Sequence, residues 1–182
     1  MKQLIALVIL ACLSFSPAKD IYICKNAGIS FYSSAPIEDI KAVSHQGVSA
    51  LNIATGAVYF KVQIRSFKFP KSLMQEHFNE DYMESDKYPY AEFKGQIAEH
   101  GDLSKDGVYP VAVQGELTIH NVTKSYESKA VITVKNGEIS AHAVFNVKLA
   151  DHNIKIPRLV IKNIAEQVQV TVDATYGHTP AG

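Results

Sequence analysis

The chain of 182 residues has no surplus of charge. It carries 18 Lys plus Arg against 18 Asp plus Glu. Nucleic-acid binders need excess positive charge to neutralise phosphates, so that class is excluded. Attachment to an anionic membrane by electrostatics alone is excluded for the same reason. Cysteine is scarce. Cys12 and Cys24 are too few for a disulfide scaffold or a four-thiolate zinc site. There is no Pro/Gly/Ser-rich linker and no internal repeat, so one domain is expected. Nucleophile signatures are missing too: no Gly-x-Ser-x-Gly elbow, and no Gly-rich phosphate loop ending in Gly-Lys-Ser/Thr. No cofactor motif is found. Hydrophobic residues at 47% and charged residues at 20% nevertheless supply a core of ordinary size.

The one long apolar run lies at the start. Met1-Lys2 precedes Leu4 to Ala11, and Ser16-Pro17-Ala18 is a small-x-small cleavage pattern. These residues read as a secretory signal peptide, 1–18, followed by a single domain, 19–182. The run is too short to span a bilayer, so no stable membrane insertion is expected. Cleavage removes 18 of 182 residues and leaves 164, with Cys24 as the lone thiol, read as structural. A second option takes Ile9-Leu10-Ala11-Cys12 as a lipoprotein box with Cys12 acylated.

Beyond the leader the dominant signal has period two. Apolar residues alternate with polar ones over Val58–Ile64, Ala91–Ile97, Tyr126–Val134, Ile139–Val147 and Val168–Ala174. Such strands have one dry and one wet face, as an antiparallel sheet requires. Weaker candidates are Ile21–Lys25, Gly28–Ser33, Val48–Ile53 and Val108–Ile119, making nine in all. Asn136-Gly137 between two alternating runs is a strong hairpin signal. Strands of this length and regularity favour a barrel or sandwich.

One segment breaks the rhythm. Lys71 to Glu84 puts Met74, Phe78 and Tyr82 on one stripe with Leu73 beside them, after Pro70 and a Ser72/Gln75 capping box. A helix of about three turns is expected there. A shorter one is expected near Pro157 to Ala165. The inward strand positions mix Phe60, Phe93 and Phe145 with Ala91, Gly95, Ala141 and Ala143. That mix suits either a packed core or a slot for one ligand.

Tests for chemistry yield little. Glu76, His77 and Glu80 resemble part of a metal motif, but the second imidazole is missing. His77-Phe78-Asn79-Glu80 reads as a polar helix face, and His120 as part of a polar turn before Asn121. What remains is an exported β-domain with apolar faces, and its natural use is to hold an apolar molecule.

Several stretches carry a resemblance. They are Ile29–Ser33, Ile64–Phe69, Met74–Ser85, Tyr88–Gly95, Gly115-Glu116-Leu117-Thr118-Ile119-His120-Asn121-Val122-Thr123-Lys124 and Phe145-Asn146-Val147. Together they resemble the YceI-like family of periplasmic polyisoprenoid- or lipid-binding proteins, over about Gly28 to Thr175. At Asn121 that family usually carries Gly; Asn tolerates the left-handed backbone such a turn needs. The resemblance implies an all-β, lipocalin-like antiparallel barrel of eight strands with helical cover at one end. It implies a pocket for an isoprenoid, quinone or fatty-acyl lipid and a periplasmic or secreted location. The implied ligand-binding wall is Val58, Phe60, Val62, Ile64, Phe93, Ile97, Ile132, Phe145, Val147, Val168, Val170 and Val172. Leu73, Met74 and Phe78 would close it from the helix. A ligand-free interaction or stress-response module, with a filled interior, and a hydrolase using Glu76, His77 or Glu80 are the alternatives.

Overall fold

The computed structural model describes residues 20–34, 39–155 and 166–178. The leader and the helix expected near Pro157 to Ala165 lie outside the described residues. Eight strands follow one another as β1 (Ile21–Ser33), β2 (Ile40–Asn52), β3 (Ala57–Gln63), β4 (Tyr90–Ala98), β5 (Gly107–Ile119), β6 (Val122–Lys135), β7 (Glu138–Lys148) and β8 (Gln167–His178). Each pairs antiparallel with its neighbours, and β8 returns to β1. The result is an up-and-down closed barrel, the architecture that leaves no sheet edge exposed.

Two details depart from the expected strands. Ile21–Lys25 and Gly28–Ser33 are one strand, whose pairing with β2 is irregular between Cys24 and Ile29. An irregularity of this kind bends a strand without ending it, so the alternation breaks while the hydrogen bonding continues. The Val48–Ile53 candidate is only the second half of β2. In the first half the buried positions are Ala42 and Ser44, too weakly apolar to signal a dry face. Ser44 is tolerated because its Oγ lies 2.6 Å from the Ser66 Oγ.

The turns follow their residues. Asn136 and Gly137 both have positive φ, 52° and 79°, the primed turn that Asn-Gly favours. His120 and Asn121 do the same at 52° and 58°, so Asn121 does keep the left-handed backbone.

Cover comes from the segment between β3 and β4. Helix α1 (Ser72–His77) continues directly into a wider π-turn over Phe78–Tyr82. The capping box does not form. Lys71, not Ser72, is the N-cap, and no side chain caps it. Gln75 instead accepts from the Phe69 N–H at 3.4 Å. The wider turn, with Met83 N–H donating to Phe78 C=O at 3.0 Å, brings Met83 into the buried face beside Ile64 and Ile154.

The core is divided along the barrel. At the end bearing the β2–β3, β4–β5 and β6–β7 connections, Cys24, Leu51, Ile97, Ile132, Ile139 and Tyr176 pack together. Leu103 from the β4–β5 loop, 1% exposed, joins them and plugs this end. At the other end the cover segment packs Phe78 against Phe31, Phe67 and Phe69, with ring centroids 5.4, 5.8 and 4.9 Å away.

Candidate functional site: an apolar cavity inside the barrel

Between plug and cover the barrel is not filled. A cavity of about 330 Å³ runs through it, near the lower limit of ordinary ligand pockets and suited to one slender chain. Small residues make the room. Ala130 of β6 stands opposite Ala143 of β7, and Ala141 stands between Ile132 and Ala174 on its two neighbours. Gly95 of β4 faces Gly115 of β5. The Phe93 ring edge approaches that glycine pair, within 2.6 Å of where a side chain on either would begin.

The wall holds fourteen of the fifteen residues singled out from the sequence. Val58, Phe60, Val62 and Ile64 come from β3 and the turn after it, and Phe93 and Ile97 from β4. Ile132 comes from β6, Phe145 and Val147 from β7, and Val168, Val170 and Val172 from β8. Met74 and Phe78 close the cavity from the cover segment. Leu73 stands apart: it points away from the wall and is 60% exposed. Several wall residues escaped the sequence reading, notably Phe31, Phe67, Phe69, Leu117, Tyr126 and Tyr176. For Phe67 and Phe69 the signal was a short alternation around Lys68. For Tyr176 the signal is the same alternation carried one step further, since it stands two residues past Ala174 on the inward face of β8.

Ser49, Tyr176 and Tyr126 on the wall find their polar partners within the protein. Ser49 donates to the Tyr59 carbonyl at 2.9 Å, so its oxygen accepts from the Tyr176 hydroxyl, also at 2.9 Å. Burial pushes the Tyr176 phenol up from its usual range. Nearer the mouth, Tyr126 Oη lies 3.0 Å from His152 Nε2, and His152 Nδ1 lies 2.9 Å from the Val122 carbonyl. A carbonyl only accepts, so Nδ1 carries the proton and Nε2 accepts from Tyr126. His152 is fully buried, and that burial pushes its pKa down, favouring the neutral ring. The sign of the pH effect follows. Below roughly pH 6.5 the unfolded chain takes up a proton that the folded chain resists, so stability falls as pH falls. His152→Gln should flatten the fall in melting temperature between pH 7 and pH 5; an unchanged pH profile would remove His152 as its source.

The cover is fastened by its own polar contacts. Asn79 Nδ2 donates to the Gln75 carbonyl at 2.7 Å and its Oδ1 accepts from Ser85 at 3.0 Å. His120, from the β5–β6 turn, meets Glu84 at 2.8 Å and packs on the Tyr88 ring. The hydrolase alternative needs Glu76, His77 and Glu80 to converge in a cleft, and they stand on the exposed side of the cover. His77 pairs with Asp81 at 2.5 Å. Among the described residues no three His, Cys, Asp or Glu side chains come together as a metal site. Among its described residues the wall also bears no lysine or arginine, and the one carboxylate residue among them, Glu92, pairs with Lys61 at 2.8 Å.

Known proteins place this geometry. A polyisoprenoid binding domain from Saccharophagus degradans, implicated in plant cell wall breakdown, superposes with a TM-score of 0.74. It is 14% identical, over 88% of this chain and 99% of its own. BcnA of Burkholderia cenocepacia gives 0.69 at 16% identity, over 82% of this chain and 95% of its own. The YCEI protein of Campylobacter jejuni gives 0.50 at 17% identity, over 96% and 98%. At these identities the likeness is one of fold. Among curated protein sequences none matches this chain. The family model described as the YceI-like domain matches residues 28–176. That match runs from within β1 to within β8 and so takes in the whole cavity wall: the chain belongs to the YceI-like family.

Proposed function

We propose that the protein is an exported carrier that holds one isoprenoid, quinone or fatty-acyl lipid inside the barrel, for transport, storage or stress protection. The observation that carries this reading is the continuous apolar wall around a cavity of about 330 Å³. A ligand-free module would fill such space with side chains. Each methylene transferred from water to this wall contributes about 0.8 kcal/mol. Ten of them give about 8 kcal/mol before ordering costs, enough for retention without any headgroup contact. The described wall residues include no lysine or arginine, which fits a neutral chain inside, with any charged head left at the mouth.

Export fits the layout of the N-terminus. Cleavage after Ala18 leaves two residues before β1 begins at Ile21. The mature protein is then a single domain, 19–182, in the periplasm or secreted, with acylation at Cys12 as the other route. No helix among the described residues is long and apolar enough to cross a membrane. Native mass spectrometry, with organic extraction of protein purified without detergent, tests the reading. It should reveal a stoichiometric co-purifying lipid and a new N-terminus at Lys19. Repeated isolation of lipid-free protein that also fails to take up added polyprenol, quinone or fatty acid would defeat it.

A further inference from the structure

The plugged end of the cavity has a floor of its own. Tyr176 is the last residue of β8 on the wall, two positions beyond Ala174. It is 5% exposed, and its hydroxyl lies 2.9 Å from the Ser49 Oγ of β2. Strand β1 stands between β8 and β2, so the phenol spans that strand from within. Cys24, in register with Ser49 on β1, is buried in the same cluster. Ile139, the register partner of Tyr176 on β7, and the plug residue Leu103 are each 1% exposed in this cluster, and neither borders the cavity. Open space therefore ends at the phenol, and packed core begins behind it.

The two hydroxyls at this level have no proton to offer a ligand. Ser49 donates to the Tyr59 carbonyl, and Tyr176 donates to Ser49. A carbonyl, carboxylate or phosphate oxygen brought down to them would lose its water and gain no donor from them. The hydrocarbon end of a chain meets the same surface without that cost. Above the ring the way is clear. Ala174 stands opposite Ala141 across the β7–β8 ladder, and both border the lumen.

We propose that the Tyr176 ring, braced by Ser49, is the stop for the apolar end of the bound chain and so sets the length of hydrocarbon that the barrel encloses. The proposal rests on the carrier reading and adds to it a preferred chain length and a direction of entry, tail first. Each methylene that enters strengthens binding about fourfold until the chain end reaches the phenol. Carbons beyond that length stay in water at the mouth and add nothing.

Calorimetric titration of the mature protein, stripped of lipid, tests this with two series of probes: fatty acids from octanoate to docosanoate, and prenols from geraniol to geranylgeraniol. Affinity should climb about fourfold per methylene in the acids and then reach a plateau. Tyr176→Leu should keep the slope and move the plateau to longer chains. Ala174→Leu should move it to shorter ones, because the larger side chain enters open lumen one step above the ring. It also carries the test if circular dichroism shows that Tyr176→Leu does not fold. A native affinity that climbs through docosanoate without a plateau overturns the proposal, as does a plateau left in place by the folded variants. Those results defeat the stop alone, since the chains still bind. A native protein that binds no member of either series defeats the carrier reading, and the stop with it.

Discussion

Phe145→Arg should empty the barrel. Phe145 projects into the cavity from β7, opposite Val170 and with its ring centroid 6.4 Å from that of Tyr126. Guanidinium does not deprotonate, so the substituted side chain cannot become neutral to suit its surroundings. Among the described residues of the wall the one carboxylate, Glu92, is already engaged by Lys61. The charge must draw water into the lumen or bend toward the mouth, and either outcome replaces apolar wall with hydrated charge. The cost to the fold is on the order of 3 kcal/mol. The cost to the ligand is larger, because each methylene that faced the ring now faces water. Native mass spectrometry should show no co-purifying lipid in this variant and full occupancy in Phe145→Leu, which keeps the surface apolar. Undiminished lipid in the arginine variant would mean that the chain does not occupy this part of the barrel.

That prediction uses a residue whose inward facing is read from alternation and whose place on a ligand wall is implied by the family resemblance, which shows where sequence carries structural information most directly. A strand whose inward positions are all large and apolar announces both its existence and its facing. Val58–Ile64 is of this kind; Ile139–Val147 and Val168–Ala174 keep the period with Ala141, Ala143 and Ala174 among their larger inward residues, and the inward residues named from all three lie on the cavity wall. The signal fails where a buried position is filled by something other than a hydrophobe. The first half of β2 buries Ala42 and Ser44, the latter satisfied by Ser66 from a segment 22 residues away. No local pattern can reveal that partnership. The cover fails differently. Its apolar stripe at 74, 78 and 82 was legible, but its winding was not. The π-turn is imposed by packing, with Met83 drawn in beside Ile64 and Ile154. Leu73, adjacent to the stripe, was accordingly counted as part of the closure although it faces outward. The openness of the interior was least legible of all. The same small residues tile a filled barrel or line a slot, depending on where the large side chains opposite them lie.

Gly115→Ala probes that last point, because here a missing side chain shapes the cavity. A Cβ on Gly115 would sit 2.4 Å from the Lys94 carbonyl oxygen, 2.5 Å from the Gly95 Cα and 2.6 Å from the Phe93 ring. The ring can swing away, but only into the lumen. The two backbone atoms can yield only if β4 and β5 part along their shared ladder. Overpacking against backbone should cost about 3 kcal/mol, or roughly 10 °C in melting temperature for a domain of this size. Gly177→Ala makes a suitable control. Its nearest neighbour would be the Ile23 carbonyl at 3.9 Å, an ordinary contact, so its melting temperature should stay close to native. Lipid occupancy should fall with Gly115→Ala, since the displaced Phe93 ring takes up ligand volume. Adding Phe93→Ala separates the two causes. The double variant should recover room for the lipid but no stability, because both backbone contacts persist and the ring's own packing is lost as well. Full recovery of the melting temperature in the double variant would show that the ring, rather than the close approach of the two strands, is what requires glycine at this position.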